Sequence, residues 1–553
     1  MNATFTGLHD FDHLLPDWSP SGLDALRREM RTLRAGLDVA AQGRQGDSAA
    51  EGAGAHVVVP HQAFSARESA LDHELARSYL DTQLAELDTA HGPAGNPSLW
   101  TGEAVFGIIS LMIRDFAPVD ARRESATGRL HAVADFFDAA RTTLGDRPLP
   151  EAWTARALRD CQGAATLLAV GAPLWMEMER GSAAMSSALA AAAARATVAF
   201  SAFATWLRDR QPATADSLAC GSALFDILLA RGHHCTTSRA DLLREARTEL
   251  EVARATLTER ANEAGGSWHD VSETLAANHP SEGDYLPAFG RTWRACRDRA
   301  AELDLVEWPD WPLQYEPYPP WTAAAAPLLY YLHYRSPAPH DAYSTYRYVV
   351  PAVPAVGTTA HLRAWNHAVI KLNHVVHHGG LGHHVQNWHA YHRATSAIAR
   401  IGAVDCANRI GMFGAGTMAE GWACYATDLM DEAGFLTPAE RAAEQHSRVR
   451  QLARGIVDIS LHTEGMPPAD AAQFYRDAAG MSDAAAQNEV ARNSMFPCTA
   501  LMYWLGTREI HAWRNDERRV RGATFSLRTF HDALLGCGSI PVSLARRHAG
   551  TIT

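Results

Sequence analysis

Strand-like alternation, paired cysteines and long strongly apolar runs are all scarce in this 553-residue chain. Its eight cysteines, at 161, 220, 235, 296, 406, 424, 498 and 537, stand singly. None has the close spacing that frames a zinc knuckle or a disulfide scaffold, so they read as reduced thiols. The start, MNATFTGLHDFDHLLPDW, has no basic residues followed by an apolar run, as a secretory signal would. Together these absences predict a cytoplasmic protein. Fifty Lys and Arg against 62 Asp and Glu give a formal net charge of −12. An acidic surface with no basic stripe repels phosphate backbones, so nucleic acid is not an expected partner. No membrane partner is expected either. The most apolar stretch, 186–207, is built on alanine and carries Arg195, the composition of a close-packed core helix. Repeats are also missing, which excludes a solenoid, and no pattern specifies an oligomeric state.

What is present is helical. In 121–145, Leu130, Val133, Phe137, Ala140 and Leu144 recur at steps of three and four, and Gly145 supplies a stop. In 238–262, Ser238 and Asp241 form a capping-box start to a stripe of Leu243, Ala246, Leu250, Ala253 and Leu257. Thr437-Pro438-Ala439-Glu440 places an N-cap, a first-turn proline and a third-position glutamate in order. Residues 41–56 (AQGRQGDSAAEGAGAH) are aperiodic and read as a loop or linker. Only 305–356 departs from helix. Dense in proline and aromatics, including Trp308, Trp311, Tyr315, Tyr318 and Trp321, it reads as an extended, partly β segment crossing the surface. Those aromatics suit packing better than a pocket wall. The chain exceeds the roughly 250–300 residues at which one core stops growing. We therefore expect a mainly α, two-lobed protein, with a helical lobe over 1–300 and a second lobe over 301–553.

The chemistry points to 361–392, which holds His361, His367, His374, His377, His378, His383, His384, His389 and His392, nine of the chain's 27 histidines. Neutral imidazole is the commonest protein ligand for zinc and also suits iron and copper. A lone histidine on a helix is usually just packed. Nine together, flanking Gly379-Gly380 and Gly382, are what a metal site produces, because glycines permit a break that aims two imidazoles at one point.

The stretch HHGGLGHHVQ (377–386) resembles the H-E-x-x-P-G-H-x-x-Q signature of the bacterial domain-of-unknown-function family 885, which is related to zincin-like metallopeptidases. AEGWACYATDLMDEAGF (419–435) is similar to that family's EGW helix, and NEVARNSMFPCTALMYWLG (488–506) to its later E-x-x-R-Y, P-G-Q-A and Y-x-x-G segment. RLHAVADFFDAARTTLGDRPLPEAW (129–153) resembles its N-terminal helical region. The resemblance implies a large helical zincin-like architecture. It also implies one divalent metal, zinc first and iron as the alternative, held by His377, His383 and Glu420. Two imidazoles and a carboxylate would leave a position open for water or substrate. His384 would lie behind the ligands or simply pack.

The chain departs from that pattern where chemistry is done. His378 replaces the motif glutamate, the proton acceptor of zincins; Leu381 replaces the proline, Asn493 a tyrosine suited to oxyanion donation, and Thr427 a second glutamate. Pro497-Cys498-Thr499 stands for P-G-Q, while Arg492 and Tyr503 are kept. Catalytic roles are accordingly expected at His378, Arg492, Asn493 and Tyr503, on a small-molecule or peptide-like substrate. Three readings follow: hydrolysis with His378 as base, a non-hydrolytic reaction at a His/His/Glu site of the kind non-haem iron enzymes use, or a binding protein that has kept its ligands. The third is disfavoured, because drift would erase ligands as readily as the base.

Overall fold

The computed structural model describes residues 2–46, 66–87, 89–213, 218–329, 338–341, 346–401 and 414–549. Among the described residues helix accounts for 74% and strand for 2%, as the three- and four-residue periodicity predicts. The helix starts expected from sequence are present. Thr437 and Glu440 close a reciprocal capping box at the head of Pro438–Thr463, and Ser238 accepts from the Asp241 amide at the head of Arg239–Glu263. In that second helix Leu242, not Leu243, is fully buried beside Ala246, Leu250 and Ala253. The linker reading fails over 41–46, where helix Pro20–Gly46 continues to its end; residues 47–56 lie outside the described residues.

Three large apolar clusters organise the molecule. The first joins Pro97–Met112, Val119–Leu144, Glu151–Thr166 and Ala183–Arg208. In it Phe137 stacks on Phe203 with ring centroids 4.4 Å apart, and burial of each such ring contributes about 2–3 kcal/mol. The alanine-rich helix belongs to this cluster through Leu189, Ala196, Phe200 and Phe203. The second cluster packs Arg239–Glu263 along Pro438–Thr463. The third surrounds the histidine region with Tyr285–Glu302, Gly416–Glu432 and Met502–Arg521. Residue 300 therefore does not separate the cores, since helices from both sides of it share the second and third.

Segment 305–356 contains two short strands, β1 (Leu313–Pro317) and β2 (Tyr346–Val350), paired in parallel with Tyr315 opposite Tyr348. The segment does not merely cross the surface. Tyr348, Val349 and Val350 are buried, Trp311 stacks on Tyr346 at 4.1 Å, and Trp321 joins the first core. These aromatics pack, and the strand pair forms a brace beside the histidines.

Candidate metal centre

The histidine region is two helices with a break between them. Ile370–Gly379 is a π-helix, one residue wider per turn than an α-helix. It ends with the Gly380 amide donating to Val375 O at 2.7 Å and the Gly382 amide to Val376 O at 2.8 Å. His383–Arg393 then starts a new helix. The expected distortion is present, so His377 closes one helix and His383 opens the next. Gly382 lies against the His377 carbonyl, where an added Cβ would stand 1.8 Å from the oxygen, and no other residue fits there. Two buried tryptophans pin the break. Trp293 Nε1 donates to Gly379 O at 2.7 Å, and Trp422 Nε1 to Leu381 O at 2.8 Å. The strand brace reaches the same turn, with Tyr315 Oη donating to His374 O at 3.2 Å and Tyr348 Oη 2.6 Å from His374 Nδ1.

This folding brings the side chains together. His377 Nε2 lies 3.3 Å and His383 Nε2 3.7 Å from one oxygen, Glu420 Oε2. That oxygen is buried and accepts no hydrogen bond among the described residues. Burial alone would raise the Glu420 carboxyl; His377, His383 and Arg492 override it and hold the group down at about 2. Burial pushes His383 down to about 4, against the pull of Glu420. His378 joins the group, since nitrogens of His377, His378 and His383 all lie within 4.8 Å of one another. The His378 Nδ1 atom is 2.7 Å from the Asn373 carbonyl. A carbonyl only accepts, so Nδ1 carries the proton and Nε2 holds the lone pair. Burial, with the positive potential of His377 and His383, keeps His378 well below its ordinary range and so neutral.

Residues 1–548 match the family described as "Bacterial protein of unknown function (DUF885)". The chain belongs to the DUF885 family. Two solved structures share its fold. One, provisionally described as a lipoprotein of unknown function from Shewanella oneidensis, superposes with a TM-score of 0.74 at 19% identity, over 99% of this chain and 95% of that one. The other, provisionally described as a lipoprotein from Colwellia psychrerythraea, gives 0.74 at 14% identity, over 99% and 94%. At such identities the likeness shows the fold alone. No curated protein matches this chain. Both solved relatives carry a lipoprotein description, which overturns the cytoplasmic placement expected from the sequence.

In this DUF885 protein the remaining expected residues divide. The positive charge of Arg492 helps to hold the Glu420 carboxyl down, and its Nη2 donates to Tyr503 Oη at 3.1 Å. Tyr503 lies on Met502–Arg521, the helix packed along Gly416–Glu432. Asn493 is placed elsewhere. Its side-chain Nδ2 donates to Tyr475 Oη at 2.5 Å and its backbone carbonyl accepts from His462, which ties it to the second core through Tyr475. His384 turns away as well: its Nε2 donates to the Trp311 carbonyl at 2.8 Å. Cys498 keeps a left-handed backbone with φ of 63°, at the position where the family pattern has glycine, and its amide donates to buried Asp458. Sequence reasoning missed Trp293, Trp422 and Tyr348 as the groups that hold the break. Their only local signal is an aromatic beside an otherwise ordinary helix or strand.

Proposed function

We propose that this protein is a metal-dependent enzyme holding one divalent ion, zinc or iron, through His377, His383 and Glu420, and acting on a small-molecule or peptide-like substrate. The observation that carries the reading is the aim of two imidazole nitrogens at one buried carboxylate oxygen that has no hydrogen bond among the described residues. Donors bound to one zinc ion at about 2.0–2.2 Å lie roughly 3.3–3.5 Å apart at a tetrahedral site, close to the 3.3 and 3.7 Å found. A buried carboxylate facing two imidazoles is a set that a cation completes. The donors fit.

When bound, the ion would polarise a substrate oxygen or activate water. The chain's residues do the rest. Glu420 supplies the negative charge, and Arg492 with Tyr503 orders the helix face beside it. His378 stands where the family signature has its glutamate and offers a neutral Nε2 lone pair, which can either take a proton or bind the ion.

Elemental analysis tests the reading. About one equivalent of metal per chain is expected in the purified protein, lost in His377→Ala and in Glu420→Ala. Full metal content in both variants would sink the assignment.

A further inference from the structure

Three imidazoles, not two, meet at this centre. On an ordinary α-helix adjacent side chains point about 100° apart, which would send His377 and His378 in different directions. The wider π turn of Ile370–Gly379 narrows that angle, and the two rings stand 4.6 Å apart, with His378 also 5.3 Å from His383. The hydrogen bond from His378 Nδ1 to the Asn373 carbonyl is the arrangement that metal-bound imidazoles adopt. One ring nitrogen is held by a backbone carbonyl, which sets the tautomer and orients the other nitrogen toward the ion. Three donors at about 2.1 Å from one ion and evenly spread around it lie about 3.6 Å apart. The three nitrogens, within 4.8 Å of one another, close to that separation with ring movements on the order of 1 Å.

Resting on the metal-centre reading above, we propose that His378 is a fourth ligand and that the protein takes a six-coordinate divalent ion of the iron(II) or manganese(II) class through His377, His378, His383 and Glu420. Four protein ligands close a four-coordinate zinc site. The same four leave a six-coordinate ion two positions for substrate and water. A histidine that spends its lone pair on the ion cannot accept a proton, so the centre then lacks the base that peptide hydrolysis needs and suits a reaction in which both open positions are used on the substrate side.

The test uses the full chain, stripped of metal and reloaded without oxygen with iron(II), and separately with cobalt(II). X-ray absorption at the metal edge should count three imidazoles in the wild type and two in both His378→Ala and His378→Glu. His378→Ala should weaken the metal Kd by more than the roughly 10–100-fold that loss of a group merely behind a ligand costs. Two imidazoles in the wild type, unchanged in His378→Glu, would overturn the proposal and make His378 a base. Circular dichroism checks folding, and if His378→Ala does not fold, His378→Glu carries the comparison. His377→Ala separates the two levels. Undiminished binding there defeats the metal centre itself, whereas a count of two in the wild type defeats only the fourth ligand.

Discussion

Gly506 lies so close to the Thr417 carbonyl that a Cβ on residue 506 would stand 2.0 Å from that oxygen. Gly421 is also tight, with an added Cβ 2.6 Å from the Gly506 backbone. Met502–Arg521 and Gly416–Glu432 touch through these glycines, and Glu420 sits between Thr417 and Gly421 on the contact.

Gly506→Ala is therefore expected to push the two helices apart and carry Glu420 away from His377. Overpacking of this kind costs about 1–3 kcal/mol, so thermal unfolding should shift down and metal affinity should fall at least about tenfold. Scanning calorimetry checks the first and calorimetric titration with metal the second. Unchanged melting and unchanged affinity would show that the crossing does not position Glu420.

Trp422→Phe keeps the ring and removes the donor to the Leu381 carbonyl. The carbonyl lies at a buried residue, so leaving it unpaired should cost about 1–3 kcal/mol. Amides over 380–386 should exchange hydrogen faster than in the wild type, while amides of the Val119–Leu144 helix should not. Exchange rates over 380–386 equal to those of the wild type would refute the pinning role.

Mild acid should remove the contribution of the buried histidines, offset in part by Asp458 and Glu509, whose carboxyls burial raises to about 7. Burial pushes His233 from 6.5 down to about 4, and His462 and His531 down to about 3. Between those values and 6.5 the unfolded chain binds more protons than the folded one. Their contribution is thus complete above pH 6.5 and is lost as pH falls toward 4 and 3, by up to about 1.4 kcal/mol per pH unit for each histidine. Urea denaturation at pH 7, 6 and 5 should show the slope. Stability that is flat across this range contradicts it.

The helices were legible because their signals are local. The stripe of Val133, Phe137 and Ala140 repeats at the helical period, and Thr437 with Glu440 caps a helix within four residues of itself. The histidine density was legible in the same way, and the resemblance of the HHGGLGHH, EGW and Tyr503-to-Gly506 segments to the family pattern implied His377, His383 and Glu420 as ligands. What the local pattern did not contain is every contact made across long sequence separations. Spacing on an α-helix separates His377 from His378, and only the π turn, held by Trp293, Trp422 and the Tyr315–Tyr348 brace, brings them together. Asn493 occupies a position that the family pattern made catalytic, yet its side-chain Nδ2 donates to Tyr475 and its backbone carbonyl accepts from His462. The division at residue 300 likewise dissolves, because Arg239–Glu263 finds its partner in Pro438–Thr463. Periodicity and capping act through neighbours in the chain and so determine which residues are helical and which are rich in ligands. Which lone pairs meet is decided by contacts between elements hundreds of residues apart, and those exist only once the cores have closed.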